Sequence, residues 1–238
     1  MTDLFWIVAD PHLCEKNESD AKLFSDFLTY FSASQCSRLF ILGDLFSHWI
    51  ATEKGSTDFQ RQILDEIKMT KKETIFLSGN RDYFVEDLTD SPFSYCGKRY
   101  KLQIPSKQVF FFEHGEMINL SDRKYLVWSA ISRTNAVKAF LEVVPKSTLE
   151  KFAERVEKNL SYTNIENKTE VPFKYLKKYA ENLKEEGVDT IFLGHFHKRL
   201  SLNFEGVRVE IIDKFFPNGF YSVVNSEGET TDNFFRKK

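Results

Sequence analysis

Cysteine is scarce in this 238-residue chain. Cys14, Cys36 and Cys96 lie far apart, form no CxxC pair and are odd in number, which excludes a disulfide framework and points to a reducing compartment, the cytoplasm. Long apolar runs are missing. No stretch approaches the roughly 18 residues that a spanning helix needs, so a soluble or peripheral protein is expected. The opening MTDLFWIVAD meets an acid at position 10 and has no basic start, unlike a signal peptide. Excess basic charge is absent as well. With 33 Lys and Arg against 35 Asp and Glu, the net charge of −2 provides no global field for a nucleic acid, and no nucleic-acid partner is expected. Repeats, low-complexity tracts and a clear linker are not found. Histidine is rare, with five in the whole chain, so where each one falls is informative.

What is present is a chain 42% apolar and 29% charged, large enough to bury a core and read as a single domain over 1–238. Its 24 phenylalanines predict a Phe-rich interior. Short apolar runs, LFWIVAD, RLFILGD, ETIFLSGN and VDTIFLG, read as buried strands. Residues 99–104 and 107–113 read as a hairpin turning near Pro105-Ser106, and 199–204, 207–213 and 219–224 as a closing β-meander. A helix follows the first strand, with Ser19 as its expected cap and Leu23, Phe24, Phe27, Leu28 and Phe31 on one face. Residues 58–70 are expected to be helical, as are 172–186, with Phe173, Leu176, Ala180 and Leu183 on one face. Strands alternate with helices first and run consecutively later. The fold class is therefore α/β with mixed sheets packed face to face.

Five of the apolar runs stop at residues able to bind a metal. WIVADPH ends at Asp10 and His12, FILGD at Asp44, IFLSGN at Asn80, VFFFEH at His114, and IFLGHFH at His195 and His197. In an extended segment residues i and i+2 point the same way, so His195 and His197 converge. In open α/β sheets ligands bind beyond the carboxyl ends of strands, and a glycine before the ligand permits a sharp turn and close approach. Any one of these residues is equally at home in an ordinary turn. All seven together are too many for one ion and suit two, with Asp44 on its strand end as the natural bridge. Carboxylate, amide and imidazole without thiolate favour Mn, Fe or Zn in a working site over a structural zinc. His48 is the histidine left over and is assigned to structure.

The ordered set D-x-H, G-D, G-N, H and G-H-x-H resembles the calcineurin-like metallophosphoesterases. The resemblance implies a sandwich of two mixed β-sheets flanked by helices. It also implies one metal held by Asp10, His12, Asp44 and His197 and another by Asp44, Asn80, His114 and His195. Within that superfamily GDLFSHW at 43–49, GNRDYF at 79–84 and HGEMINLSD at 114–122 are similar to the UDP-2,3-diacylglucosamine hydrolase branch. That likeness implies two divalent ions, Mn2+ ahead of Fe or Zn, and a UDP-linked diacyl sugar as substrate. The pyrophosphate bond would be cut by attack of a metal-bound hydroxide on the α-phosphate, releasing UMP and 2,3-diacylglucosamine 1-phosphate, at the cytoplasmic face of an inner membrane. The chain departs from the branch at Glu116 and Phe196 and lacks an acidic pair after Trp49.

Most superfamily members carry a histidine after G-N; here Arg81 stands there. A guanidinium at this point is expected to neutralise phosphate charge, the alternative being a surface arginine paired with Asp82. The expected catalytic residues are Asp44, Asn80 and His114. Expected substrate contacts are Asn80, Arg81, Asp122, Lys168 and His195. The insertion 134–170 mixes Phe140, Val143, Val144, Leu149, Phe152 and Val156 with basic residues, and Pro145 divides it. It is expected to be a helical lid with an apolar lining and a basic rim, or, alternatively, helices packed on the core.

Overall fold

The computed structural model describes residues 3–52, 55–144, 148 and 170–235. Strand β1 (Asp3–Val8) alternates its burial between two sides: Phe5 and Ile7 face one cluster, Trp6 and Val8 another. Helix α1 (Glu18–Ala33) buries Phe24, Phe27, Leu28 and Phe31, with Leu23 partly buried beside them. Its cap is Asn17, whose side chain accepts from the Asp20 amide; Ser19, the expected cap, already lies inside the helix. Asn and Ser cap comparably well, so the sequence left this choice to tertiary context. Strand β2 (Arg38–Ile41), the short β3 (Trp49–Ile50) and helix α2 (Asp58–Met69) follow, α2 closed by a capping box between Thr57 and Gln60.

Strand β4 (Glu73–Leu77) leads into β5 (Asp82–Tyr83), a 3-10 turn at Val85–Asp87, and β6 (Tyr95–Gly97). The expected hairpin is β7 (Arg99–Gln103) with β8 (Val109–Glu113), in register from Arg99 opposite Glu113 to Gln103 opposite Val109. Then come α3 (Arg123–Ser132), α4 (Asn135–Val143), α5 (Phe173–Glu185), β9 (Thr190–Leu193), β10 (Leu200–Phe204), β11 (Val207–Ile211), β12 (Phe220–Asn225) and β13 (Thr230–Phe234).

One sheet has the order β13-β12-β1-β2-β4-β6, the other β10-β11-β9-β8-β7, and β3 pairs with β5. Both large sheets are mixed: β1, β2, β4 and β6 are mutually parallel, as are β8, β9 and β11, with antiparallel neighbours outside them. The expected meander is corrected here. β10 and β11 pair, but β12 leaves for the first sheet, between β1 and β13. Alternation fixes which residues face a core but not which sheet supplies the partner.

The sheets face each other across a cluster of Phe5, Phe40, Phe110, Phe112 and Phe192 with Ile7, Ile75, Leu77 and Ile212. Phe112 stacks on Phe40 at 4.0 Å and on Phe192 at 5.0 Å between ring centroids. Helices α1 and α2 cover the outer face of the first sheet, and α5, through Leu176, Ala180 and Leu183, that of the second. Phe173, expected on the buried face of α5, is 52% exposed at the helix start.

Helix formation before the insertion begins earlier than expected, at Arg123. Leu120, Val127, Trp128 and Ile131 on or before α3, and Phe140 and Val143 on α4, are exposed, whereas Leu141 packs with Ile50, Tyr83 and Phe84. Pro145, Leu149, Phe152, Val156 and Lys168 lie outside the described residues. Among the described residues no helix is long and apolar enough to cross a membrane.

Candidate metal centre

The parallel strands of both sheets deliver their carboxyl ends to one place. Asp10 follows β1, Asp44 follows β2, Asn80 follows β4, His114 follows β8, and His195 and His197 follow β9. The loops are tied to one another by their backbones: the His12 amide donates to Asp44 O at 2.9 Å, and the Gly194 amide to His114 O at 3.0 Å. Five of the seven candidate ligands have left-handed backbone: Asp10 (φ 49°), His12 (46°), Asp44 (49°), His195 (67°) and His197 (50°). Such conformations are uncommon outside glycine and cluster where function over-determines the chain. Gly79 is required for contact: a Cβ there would lie 2.8 Å from His114 Nε2 and 2.9 Å from the Asp44 amide nitrogen.

All seven side chains are brought together. His12 Nε2 is 3.0 Å from His197 Nε2, and Asp10 Oδ1 is 3.7 Å from the former and 3.3 Å from the latter. On the other side His114 Nε2 lies 3.3 Å from Asn80 Oδ1, 3.7 Å from Asp44 Oδ1 and 3.9 Å from Asp10 Oδ1, and His195 Nδ1 is 3.1 Å from Asn80 Oδ1. Asp44 touches both groups, its Oδ2 being 3.9 Å from His12 Nδ1. Asp10 does too, and belongs to both compact ligand triads, Asp10–His12–His197 and Asp10–Asp44–His114.

These residues fit metal ions. Ligands about 2.0–2.2 Å from an ion stand about 3–3.5 Å from each other, close to the spacings seen. Asp10 Oδ1 and His12 Nδ1 are buried without a hydrogen bond, a costly arrangement unless something else meets the site. The His114 Nδ1–H donates to Leu42 O at 2.6 Å, which aims Nε2 at Asn80 and the two aspartates. Burial, against the pull of Asp44 and Asp10, pushes the His12 imidazole down to about 3, so it is neutral and able to ligate. Burial would raise the Asp10 carboxyl, but His114, His197 and His12 outweigh it and hold Asp10 well below the usual range.

Arg81 is 13% exposed in its side chain and belongs to the site, not to the open surface. Its amide donates to Asp44 Oδ1 at 2.8 Å, its Nη1 to Ser47 O at 2.8 Å, and its Nε stands 3.5 Å from Asp44 Oδ2. The alternative pairing with Asp82 is not found. The Asp82 carboxylate instead accepts from the amides of Asp44 at 2.7 Å and Gly79 at 2.8 Å, joining the G-D and G-N turns. Burial and then Asp44 push this carboxyl up to about 7. Its role escaped the sequence analysis; the available signal was an acid immediately before the apolar pair Tyr83-Phe84. Asp122 caps α3 by accepting from the Tyr125 amide at 3.0 Å. His48 packs 5.8 Å from the Tyr83 ring, and burial and Arg81 lower its imidazole to about 4.

This two-sheet sandwich with a strand-end cluster of carboxylate, amide and imidazole defines a metal-dependent phosphoesterase. The calcineurin-like phosphoesterase family matches residues 4–199, and the chain belongs to that family. It is a metal-dependent hydrolase of a family that binds divalent metals. Among its relatives is a UDP-2,3-diacylglucosamine hydrolase of Haemophilus influenzae (strain PittGG), 26% identical over 84% of this chain and 86% of the relative. A UDP-2,3-diacylglucosamine hydrolase of Ectopseudomonas mendocina (strain ymp) is 24% identical over 93% and 94%. A dimetal phosphatase from Danio rerio shares the fold, with a TM-score of 0.54, 10% identity and 98% of each chain covered.

Proposed function

We propose that this chain hydrolyses the pyrophosphate bond of a UDP-linked diacylglucosamine, releasing UMP and the diacyl sugar 1-phosphate. The similarity to hydrolases of that name over more than four-fifths of the chain supports the substrate class. The observation that carries the reading is Arg81, which occupies the position after Gly79-Asn80 and lies against Asp44. A phosphate monoester is a good leaving group and needs little protonation. A fixed positive charge therefore serves it better than a proton donor.

Asp10, His12, Asp44 and His197 would hold one ion and Asp44, Asn80, His114 and His195 the other, with Mn2+ the preferred metal. Two such ions supply a nucleophile at neutral pH and Lewis-acid stabilisation of the phosphoryl oxygens. Asp44 keeps the two halves of the ligand set in fixed relation, since its amide and Oδ1 are both hydrogen-bonded within the loops. Asn80 and His195 reach the phosphoryl group as well as the metal. Arg81 neutralises the charge that develops on the leaving side. Asp122, at the start of α3, orients the sugar or a basic group beside it. The exposed apolar side chains of α3 and α4 receive the acyl chains at the cytoplasmic surface of an inner membrane.

The test is an Mn2+-supplemented assay that compares UDP-diacylglucosamines of increasing acyl length with bis-p-nitrophenyl phosphate. Turnover rising steeply with acyl length, with UMP as product, is expected, because each buried methylene contributes about 0.8 kcal/mol. Turnover of the small diester alone, indifferent to chain length, would reassign the site to a general phosphodiesterase or phosphatase acting on a nucleotide or small phosphoester.

A further inference from the structure

The loop Gly79–Asp82 carries Asn80 and Arg81, and every end of it is tied. Its amides at Gly79 and Arg81 are bound to Asp82 and Asp44 carboxylates. Two of its carbonyls, those of Gly79 and Asp82, are bound by a side chain from another part of the chain. Arg133, between α3 and α4, donates through Nη2 to Gly79 O at 2.6 Å and through Nη1 to Asp82 O at 2.9 Å. One planar guanidinium thus spans the four-residue loop, and it lies 5.0 Å over the Tyr83 ring. A planar fork makes this double contact, whereas an ammonium is a point donor. The helix that follows Arg133 reinforces the contact: Leu141, with Val137 and Val144, packs on Ile50, Tyr83 and Phe84, which adjoin the loop.

We infer that Arg133 is a positioning residue: it sets the Gly79–Asp82 loop, and through it Asn80 against His114 and His195, so that docking of the α3–α4 segment and metal affinity are one coupled property. The inference rests on the metal assignment above and is independent of the lipid substrate. Arg133 itself touches neither the ligand atoms nor the reacting groups in any contact described. Its action runs through two backbone carbonyls that flank Asn80 and Arg81, one step further out than the partners that bind metal ligands directly.

The experiment titrates the full chain with Mn2+, following the free-ion paramagnetic resonance signal, in the unsubstituted protein and in Arg133→Ala, Arg133→Gln, Arg133→Lys and Asp44→Ala. Amide hydrogen exchange is read in parallel. Arg133→Ala and Arg133→Gln are expected to weaken Mn2+ binding roughly 10–100-fold. Exchange should quicken across 79–84 while β8 and β9 keep their protection. Arg133→Lys should recover part of the affinity, since one carbonyl can still be reached. Affinity unchanged in both Arg133→Ala and Arg133→Gln, beside a loss in Asp44→Ala, would overturn this inference alone. So would weaker binding accompanied by lost protection throughout both sheets, which marks a general folding defect. No Mn2+ binding by the unsubstituted protein would overturn the metal assignment and this inference with it.

Discussion

The strand-end loops and the α3–α4 segment lie side by side, joined at Arg133, yet they are built on opposite plans. In the loops Asp10, Asp44, Asn80 and His114 are buried, and backbone held in unfavourable conformations is tied by Asp82, Arg81 and the amides of neighbouring turns. On α3 and α4 large apolar side chains face outward, Val143 at 77% and Phe140 at 64% exposure. Side chains that touch one another through fixed hydrogen bonds serve a chemistry whose geometry cannot vary. Exposed apolar side chains serve contacts made only when something arrives. The contrast separates the buried cluster of candidate ligands from a neighbouring surface rich in exposed apolar side chains.

Removing a ligand should show the first plan at full strength. Asp44→Ala leaves both halves of the ligand set without their shared carboxylate. Activity on bis-p-nitrophenyl phosphate is expected to fall by several orders of magnitude with the fold retained by circular dichroism. Full activity would remove Asp44 from the site. Next in size is the contrast between aromatic residues in the two environments. Phe112→Ala, between the stacked rings of Phe40 and Phe192, should cost about 3–5 kcal/mol in urea denaturation. Phe140→Ser on α4 should stay within about 0.5 kcal/mol. Equal losses would place Phe140 in a core.

Smaller again is the effect of Arg81→Ala, which removes a charge from beside Asp44. A fall of roughly tenfold or more in kcat/KM for the proposed UDP-linked substrate is expected, equivalent to about 1.5–3 kcal/mol. Unchanged kinetics would exclude it from substrate contact. Smallest is the kinetic effect of Phe140→Ser or Val143→Ser alone. Each should raise KM for a long-chain substrate several-fold and leave the small diester untouched; parallel loss on both substrates would mean that α4 supports the metal loops and not the substrate.

The strand ends were legible because each apolar run is short and stops abruptly at a polar residue, as in FILGD and IFLSGN. The helix faces of α1 and α5 were legible for the corresponding reason, a 3.6-residue period, although Phe173 fell too near a helix terminus to be covered. What escaped was decided by partners distant in sequence. β12 keeps its alternation in either sheet, so its crossing to β1 left no local trace. Asp82 and Arg133 act on backbone amides and carbonyls, groups that every residue possesses, so no complementary side chain marked them. Arg81 could be placed beside the strand-end ligands, but its attachment to Ser47 O rather than to Asp82 depended on how two turns meet.

The ligand set is divided between the sheets. Asp10, His12, Asp44 and Asn80 follow strands of the first, and His114, His195 and His197 follow strands of the second. An ion held by both groups would work as a clasp at the open edge of a book whose pages meet on Phe40, Phe112 and Phe192. Clasp and pages would then be thermodynamically linked: loosening the stacked phenylalanines would weaken the grip on the ion, and the ion would in turn hold the sheets together. Metal affinity becomes a gauge of how well the two halves of the sandwich are seated, readable from a substitution in the phenylalanine core that touches no ligand.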